Sequence, residues 1–275
     1  LAPLSSAQSW LWFHHHAEPE SSAYNMWQAY HLRGAVSSDA LRRCFARLVA
    51  RHSVFRTGFV EVDGRPVQRV VADAEAPFED VDLSSLPSDE RAERARAWIL
   101  RWATRPFDLS RPPLLRGAVC RLAPDRAILA LATHHIICDG FSARLLRAEL
   151  SHGLFDGAPP LPEPPFRYHD YCRWQQDRLA SGAYAAQLEY WRRRLEPDTA
   201  LELPVSRPRG SAVPTAGHLD LTLDGTRWSR LRHLGERHGA TVFAALAAWL
   251  GAFLTRLSRV PNVHLATQVA GRDLA

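Results

Sequence analysis

The chain contains no lysine, so all 34 of its basic residues are arginines. Its formal net charge is +5, and its isoelectric point lies near 9.4. A basic chain can bind nucleic acid, an acidic partner protein or a phosphate-bearing cofactor. The arginines are spread along the whole sequence and are not gathered into one run. We therefore attribute the charge to a GC-rich coding sequence and not to a binding patch.

Cysteine is also scarce, and none of the four cysteines forms a Cys-x-x-Cys pair. Neither a zinc ribbon nor a redox dithiol is predicted. Cys44 and Cys120 lie within apolar patterns, where a free thiol behaves as a small hydrophobic side chain. The chain opens with no secretory signal and contains no apolar run of transmembrane length, since its longest apolar stretch, residues 243–254, fits a buried helix. These absences predict a cytoplasmic protein that does not enter membranes.

What remains is ordinary globular chemistry in an alternating α and β pattern. Hydrophobic residues make up 46% of the 275 residues and charged residues 23%, which predicts one large domain or two smaller ones. Helical spacing of apolar side chains predicts helices over residues 37–51, 88–104, 141–154, 168–195, 226–238 and 241–258. β-rich segments predict strands over residues 29–32, 114–122, 127–134, 218–223 and 263–269, and a hairpin over 55–71 that turns at Asp63-Gly64. Residues 204–217, rich in proline and glycine, predict a boundary region between lobes.

One segment carries the residue types of an active site. It reads His-His-x-x-x-Asp-Gly, from His134 and His135 to Asp139 and Gly140, and it lies where a predicted strand ends and a helix begins. Neighbouring strand residues point to opposite faces, so at most one of the two histidines can face a given cavity. The set offers a base, an orienting carboxylate and a possible oxyanion donor. The bland alternative places both histidines in the core and makes Asp139 a helix cap. No third ligand stands at metal-binding spacing, so no metal site is predicted.

Further segments, in order along the chain, resemble the motifs of one enzyme family. They are residues 4–12 (LSSAQSWLW, followed by Ala23-Tyr24-Asn25), residues 51–59 (RHSVFRTGF), the histidine segment and residues 168–174 (YHDYCRW). On these motifs the chain resembles the condensation domains of nonribosomal peptide synthetases, within the chloramphenicol-acetyltransferase-like acyltransferases. The resemblance implies an α/β (α+β) two-layer sandwich, and it extends to the helix over 241–258 and the strand that ends at Gly271-Arg272-Asp273.

The resemblance also implies a role for each site residue. His135, Gly140, Asp139 and His134 form the catalytic motif. His135 either takes a proton from the acceptor amine or acts by hydrogen bonding, positioning that amine or stabilising the tetrahedral intermediate. Gly140 N–H is an oxyanion donor. Asp139 is mainly structural and pairs with Arg56, while His134 serves packing and loop geometry.

The implied reaction is amide bond formation between a donor acyl or aminoacyl thioester and an acceptor aminoacyl thioester. Both substrates are carried on the 4′-phosphopantetheine of peptidyl carrier proteins, beside an adenylation domain, with no cofactor bound directly and no nucleic acid. Phe141, where many elongation domains have tryptophan, favours an aryl or acyl donor. Two alternatives stay open: a stand-alone coenzyme A-dependent acyltransferase and a non-catalytic recruitment module.

The chain departs from the family pattern in two ways. Ser53 stands where glutamate is usual, and the later motif of the second lobe is missing. We therefore expect an N-terminal lobe over residues 1–178, an incomplete C-terminal lobe over 179–275, and no condensation activity from this chain alone.

Overall fold

The computed structural model describes residues 1–35, 37–75, 77–154, 159–195, 201, 203 and 219–267. The chain divides into two compact units, Leu1–Ala183 and Tyr184–Ala275. The elements of the first unit, in chain order, are β1 (Ala2–Pro3), α1 (Ser6–Ala17), β2 (Asn25–Arg33), α2 (Ser38–Arg51), β3 (Thr57–Val62), β4 (Arg65–Val70), β5 (Phe78–Asp82), α3 (Arg91–Ala103), β6 (Leu115–Ala123), β7 (Arg126–His134), α4 (Gly140–Gly153) and α5 (Tyr168–Ala180). Those of the second are α6 (Ala185–Leu195), α7 (Gly225–Arg237) and α8 (Val242–Ser258).

The main sheet of the first unit has the strand order β2-β7-β6-β5. β2 and β6 both run antiparallel to β7, which lies between them, and β5 adds in parallel to β6. Residues 128–134 of β7 are all buried, because helices and neighbouring strands leave neither of its faces to solvent. The predicted strands 29–32, 114–122 and 127–134 are confirmed. β5 was not predicted, because its sequence shows no clear alternation of apolar and polar residues.

Helices pack on this sheet with the apolar faces from which they were predicted. The stripe of α2 is buried as expected, with Phe45 almost fully enclosed. Gly117 of β6 faces α2, since a Cβ there would lie 3.2 Å from the Phe45 ring. The next residue back, Arg116, points to the other face, where its guanidinium lies 5.5 Å from the ring of Trp102 on α3.

A second, three-stranded sheet has the order β1-β4-β3. β3 and β4 form the predicted hairpin, and its turn residues Asp63 (φ 51°) and Gly64 (φ 71°) both take the left-handed conformation of a two-residue hairpin turn. β1 pairs with β4 at Gln68, whose side chain is buried. This small sheet therefore brings the N-terminus of the chain against the hairpin.

Two predictions for the C-terminal part were wrong. The single helix over 168–195 is divided into α5 and α6, and Gly182 between them takes φ +71°, a conformation that ends helices. Residues 178 and 179, between which we expect the lobes to divide, lie within α5, and this lobe division stays a prediction. The strands predicted over 218–223 and 263–269 are absent from the described parts of those segments, which have no paired neighbour.

The helices predicted over 226–238 and 241–258 are confirmed as α7 and α8. Taken singly, no described helix has the length and apolar character to cross a membrane. Only α7 and α8 together have that length and character, and the two helices are bent by 103° at the break between them. The predicted boundary region, residues 204–217, and Gly271-Arg272-Asp273 lie outside the described residues.

The close approach of β3 to the following loop yields a stability prediction. A Cβ on Gly58 would lie 2.8 Å from both Pro112 Cδ and the Ser110 carbonyl oxygen. We expect Gly58→Ala to lower the free energy of unfolding by about 1–3 kcal/mol, because the backbone must move to accept the methyl group. Gly225→Ala, where a Cβ meets no atom within 4 Å, is the matched control. Urea unfolding of both variants checks this, and equal stability would contradict the observed packing.

Candidate functional site

The His-His-x-x-x-Asp-Gly segment forms the connection between β7 and α4, as predicted. β7 ends at His134, and α4 begins at Gly140. Asp139 caps the helix, since its Oδ1 accepts hydrogen bonds from the Ser142 N–H and from the Ser142 hydroxyl, both at 2.7 Å. The four residues between the strand end and the cap make a tight loop, and its backbone bonds fix the positions of the two histidines.

His134 is buried, and its ring and its carbonyl both accept hydrogen bonds from N–H groups of the loop. Its ring Nδ1 accepts a hydrogen bond from the Ile136 N–H at 3.1 Å, so the proton of the neutral ring lies on Nε2. Its carbonyl accepts from the Ile137 N–H at 3.1 Å. Burial, with smaller contributions from His15 and His135, lowers the pKa of His134 to about 4. At neutral pH this ring is uncharged and its only lone pair is already used, so it cannot act as a base.

His135 has the opposite character. Its backbone N–H donates to the Tyr24 carbonyl at 2.8 Å, which ties the loop to the start of β2. Its side chain is half-buried, and its ring makes no hydrogen bond to any residue that the structure describes. Of the two histidines, His135 is therefore the one whose ring nitrogens are available to another molecule.

Gly140 lies at the first position of α4, where backbone N–H groups have no partner within the helix. No hydrogen bond of its N–H is found within the described ranges. A Cβ at Gly140 would meet no atom within 4 Å. The space on the Cβ side of Gly140 is therefore open, and its N–H lies at the helix end where the dipole favours negative charge.

The expected ion pair between Arg56 and Asp139 is not formed among the described residues. The Arg56 guanidinium donates instead to four backbone carbonyl oxygens, those of Val49, Ala50, Val71 and Ala72. Two of these belong to the last turn of α2, where carbonyls lack partners in the helix and attract a cation. Arg56 therefore joins the end of α2 to the segment after β4.

Sequence reasoning missed the residues that enclose His134. The rings of His15, Phe107 and Tyr24 lie 6.1, 6.3 and 6.4 Å from its ring centroid. Burial lowers the pKa of His15, while the nearby Asp108 carboxylate opposes that shift. The adjacent histidines of α1 point elsewhere, because helix positions turn by about 100° per residue: His14 packs on Trp10 and His16 stacks on Trp12.

A clamp on the end of α3 was also missed. Asn25 Nδ2 donates to the carbonyls of Ala103 and Arg105, each at 2.8 Å, and the Arg116 guanidinium donates to the same two oxygens. Arg116 also lies 4.2 Å from the Phe107 ring centroid, and burial lowers its pKa to about 10, so it stays charged at neutral pH. The position of Arg116 between apolar residues of the run 114–122 was the signal that could have found it.

Two cavities lie near the elements of the site. The smaller, about 40 Å³, lies between β2, β7 and α4 and includes Cys138 of the loop in its lining. The larger, about 550 Å³, lies between α2, the end of α4 and the connector that follows, and none of the four motif residues lines it. The motif lies at the end of a sheet strand, and of its residues neither His134, His135, Asp139 nor Gly140 lines either of these two cavities.

Comparison with known proteins gives consistent matches over the full length. Residues 1–275 match the family model described as a condensation domain. The chain is 36% identical over 277 residues to a linear gramicidin synthase of Brevibacillus parabrevis, covering 98% of this chain and 5% of that protein. It is 35% identical over 279 residues to phosphinothricin tripeptide synthetase PhsC of Streptomyces viridochromogenes, covering 98% of this chain and 25% of that protein. The chain thus spans a small part of these relatives.

Among solved structures, the chain is similar to the first condensation domain of the calcium-dependent antibiotic synthetase. The TM-score is 0.77 at 24% identity, covering 95% of this chain and 62% of that one. This likeness confirms the α/β, chloramphenicol-acetyltransferase-like fold expected from the sequence.

The buried His134 predicts acid sensitivity. Because its pKa falls from an ordinary 6.5 to about 4 on folding, the unfolded chain binds a proton in that range that the folded chain does not. Stability is therefore full above pH 6.5 and falls as pH drops towards 4, by about 3 kcal/mol. His134→Asn keeps an acceptor for the Ile136 N–H but does not titrate, so we expect a smaller acid loss. Urea unfolding at several pH values measures it.

The control for this prediction is His31→Asn, which changes an exposed histidine of β2. That variant should keep the acid loss of the wild-type protein. An identical pH dependence in His134→Asn and the wild type would show that the buried ring does not govern acid stability.

Proposed function

This chain belongs to the condensation-domain family, and we propose that it forms an amide bond between two thioester-bound substrates. The donor is an acyl or aminoacyl thioester and the acceptor an aminoacyl thioester, each carried on the phosphopantetheine arm of a carrier protein. The synthetases to which the chain is similar support this class of reaction. The observation that carries the proposal is that the connection between β7 and α4 holds two groups without a hydrogen-bond partner among the described residues, the His135 ring and the Gly140 N–H.

The reaction is an aminolysis of a thioester, and the protein has to position the two substrates and stabilise the charge that develops. The acceptor nitrogen attacks the donor carbonyl carbon, a C–N bond forms, the C–S bond breaks, and the thiol of the donor arm is released. The amine gives up one proton, and the sulfur leaves with one. Negative charge develops on the carbonyl oxygen in between, and a backbone N–H at a helix N-terminus stabilises such an oxyanion.

We assign the contact with the acceptor amine to His135. An α-amino group has a pKa near 8, so about one tenth of the acceptor amine is already neutral at neutral pH. His135 can therefore act as the base or can hold the amine in line by a hydrogen bond. His134 can do neither, because its Nδ1 is bonded to the Ile136 N–H. Asp139 supports the site by capping α4.

The first test replaces the His135 ring. We expect His135→Ala to lower the rate of product formation at least about 100-fold, since general acid–base groups typically contribute about 10²–10⁴-fold. The assay uses the natural protein that contains this sequence, with donor and acceptor carrier proteins loaded, and detects the condensed product by mass spectrometry. His31→Ala, which changes an exposed side chain of β2, is the control. Undiminished product from His135→Ala would refute the assignment, and a pH–rate profile of His135→Gln separates base from positioning.

The second test fills the space at Gly140. We expect Gly140→Ala to keep its melting temperature, because the added Cβ meets no atom of the described chain. We expect its rate to fall at least about tenfold, because the methyl group occupies the space beside the N–H that the oxyanion needs.

Gly225→Ala is a close control for this variant. Gly225 also opens a helix after an aspartate cap, and a Cβ there also meets nothing within 4 Å. A Gly140→Ala protein as active as Gly225→Ala would show that the transition state does not use this space.

A further inference from the structure

We propose that Gln8 is a positioning residue for the reaction: its buried side-chain amide holds the Ile136 carbonyl and thereby fixes the loop that presents His135. The catalytic part of this inference rests on the proposed function, whereas the structural part does not. Gln8 lies on α1, 128 positions away from the loop in sequence, and it is 1% exposed.

The orientation of the Gln8 amide is determined by its neighbours. Its Oε1 accepts from the Ser5 N–H at 3.0 Å, a group that can only donate. Its Nε2 donates to the Ile136 carbonyl at 3.2 Å, a group that can only accept. The remaining contacts, from the Cys172 thiol to Oε1 at 3.4 Å and from Nε2 to Gln68 Oε1 at 3.4 Å, complete its bonding capacity. A flipped amide would place like groups against each other at both ends.

Gln68 extends the network into the second sheet. It is also 1% exposed, and its Nε2 donates to the Pro3 carbonyl at 2.7 Å and to the Cys172 sulfur at 3.2 Å. Ser5 lies 3.1 Å from the Tyr168 hydroxyl. The network therefore joins α1, β1, β4 and α5, and it contacts the loop at the Ile136 carbonyl oxygen.

That atom completes the restraint on His135. The peptide group before His135 is held through its N–H by Tyr24, and the one after it is held through the Ile136 N–H by His134. The next peptide is held at both ends, by Gln8 at the carbonyl and by the His134 carbonyl at the Ile137 N–H. These bonds hold the backbone on both sides of His135 and so fix the point from which its side chain extends, as a preorganised site requires.

The experiment compares Gln8→Met with Gln68→Met in the natural protein that contains this sequence. Both changes replace a buried amide by an apolar side chain of similar volume and leave buried polar groups without hydrogen-bond partners. Both should therefore lower the melting temperature. Only Gln8→Met frees the loop. We expect hydrogen exchange of the amides of residues 135–139 to rise in that variant alone, and its rate of product formation to fall about tenfold further than that of Gln68→Met, since small misplacements of reacting groups are costly.

Gln8→Glu supplies a second readout if Gln8→Met fails to fold. A buried glutamic acid is neutral at low pH and can donate its one O–H to Ile136, but an ionised carboxylate has no donor and faces the carbonyl oxygen. Product formation by Gln8→Glu should approach that of the wild type at low pH and decline as pH rises. Gln68→Glu should show no such decline.

The outcomes separate this inference from the proposed function. Equal loop exchange and equal rates in the two methionine variants, or a Gln8→Glu pH profile that parallels the wild type, would overturn the positioning role. A wild-type protein that makes no product with loaded carriers would overturn the proposed function, and loop exchange would still decide whether Gln8 holds the loop.

Discussion

The hydrogen bond from Gln8 to the Ile136 carbonyl is the contact on which the geometry of the site depends. It connects a helix at the start of the chain to a loop near its middle, inside a network with no exposed member. A buried amide of this kind is costly to leave without partners, so the elements that supply those partners must be in place together. The network therefore links the shape of the loop to the packing of α1, β1, β4 and α5.

The division of labour between the two histidines follows from the pleat of β7. His134 points to the face covered by Phe107 and His15, where burial keeps the ring neutral and its Nδ1 folds the loop back on itself. His135, one residue on, emerges at the strand end with its ring unbonded among the described residues. Two identical side chains thus acquire different chemistry, because one is inside the sheet and its neighbour is not.

How much of this the sequence could predict depended on how local the signal was. The stripe of α2, the Asp63-Gly64 turn and the motif between β7 and α4 are set by residues close together in the chain, and all were predicted. The break between α5 and α6 depends on one residue, Gly182, and it was missed because the helical spacing of apolar residues continues on both sides of that glycine. The carbonyl contacts of Arg56 and the reach of Gln8 to Ile136 depend on which segments meet in space. For α1 the Ser5–Gln8 capping box was a local signal that went unused.

Two places in the chain show why a local signal alone does not make a site. Asp139-Gly140 and Asp224-Gly225 both begin helices, and in each the aspartate Oδ1 accepts from the N–H three residues on, at 2.7 and 2.8 Å. Both glycines border open space. Only the first follows a buried strand and a loop whose peptide groups are bonded to Tyr24, His134 and Gln8, and among the described residues that loop also carries the unbonded ring of His135. In the proposed reaction the helix N-terminus supplies a hydrogen-bond donor for the oxyanion, and the loop before it supplies the histidine that contacts the attacking amine.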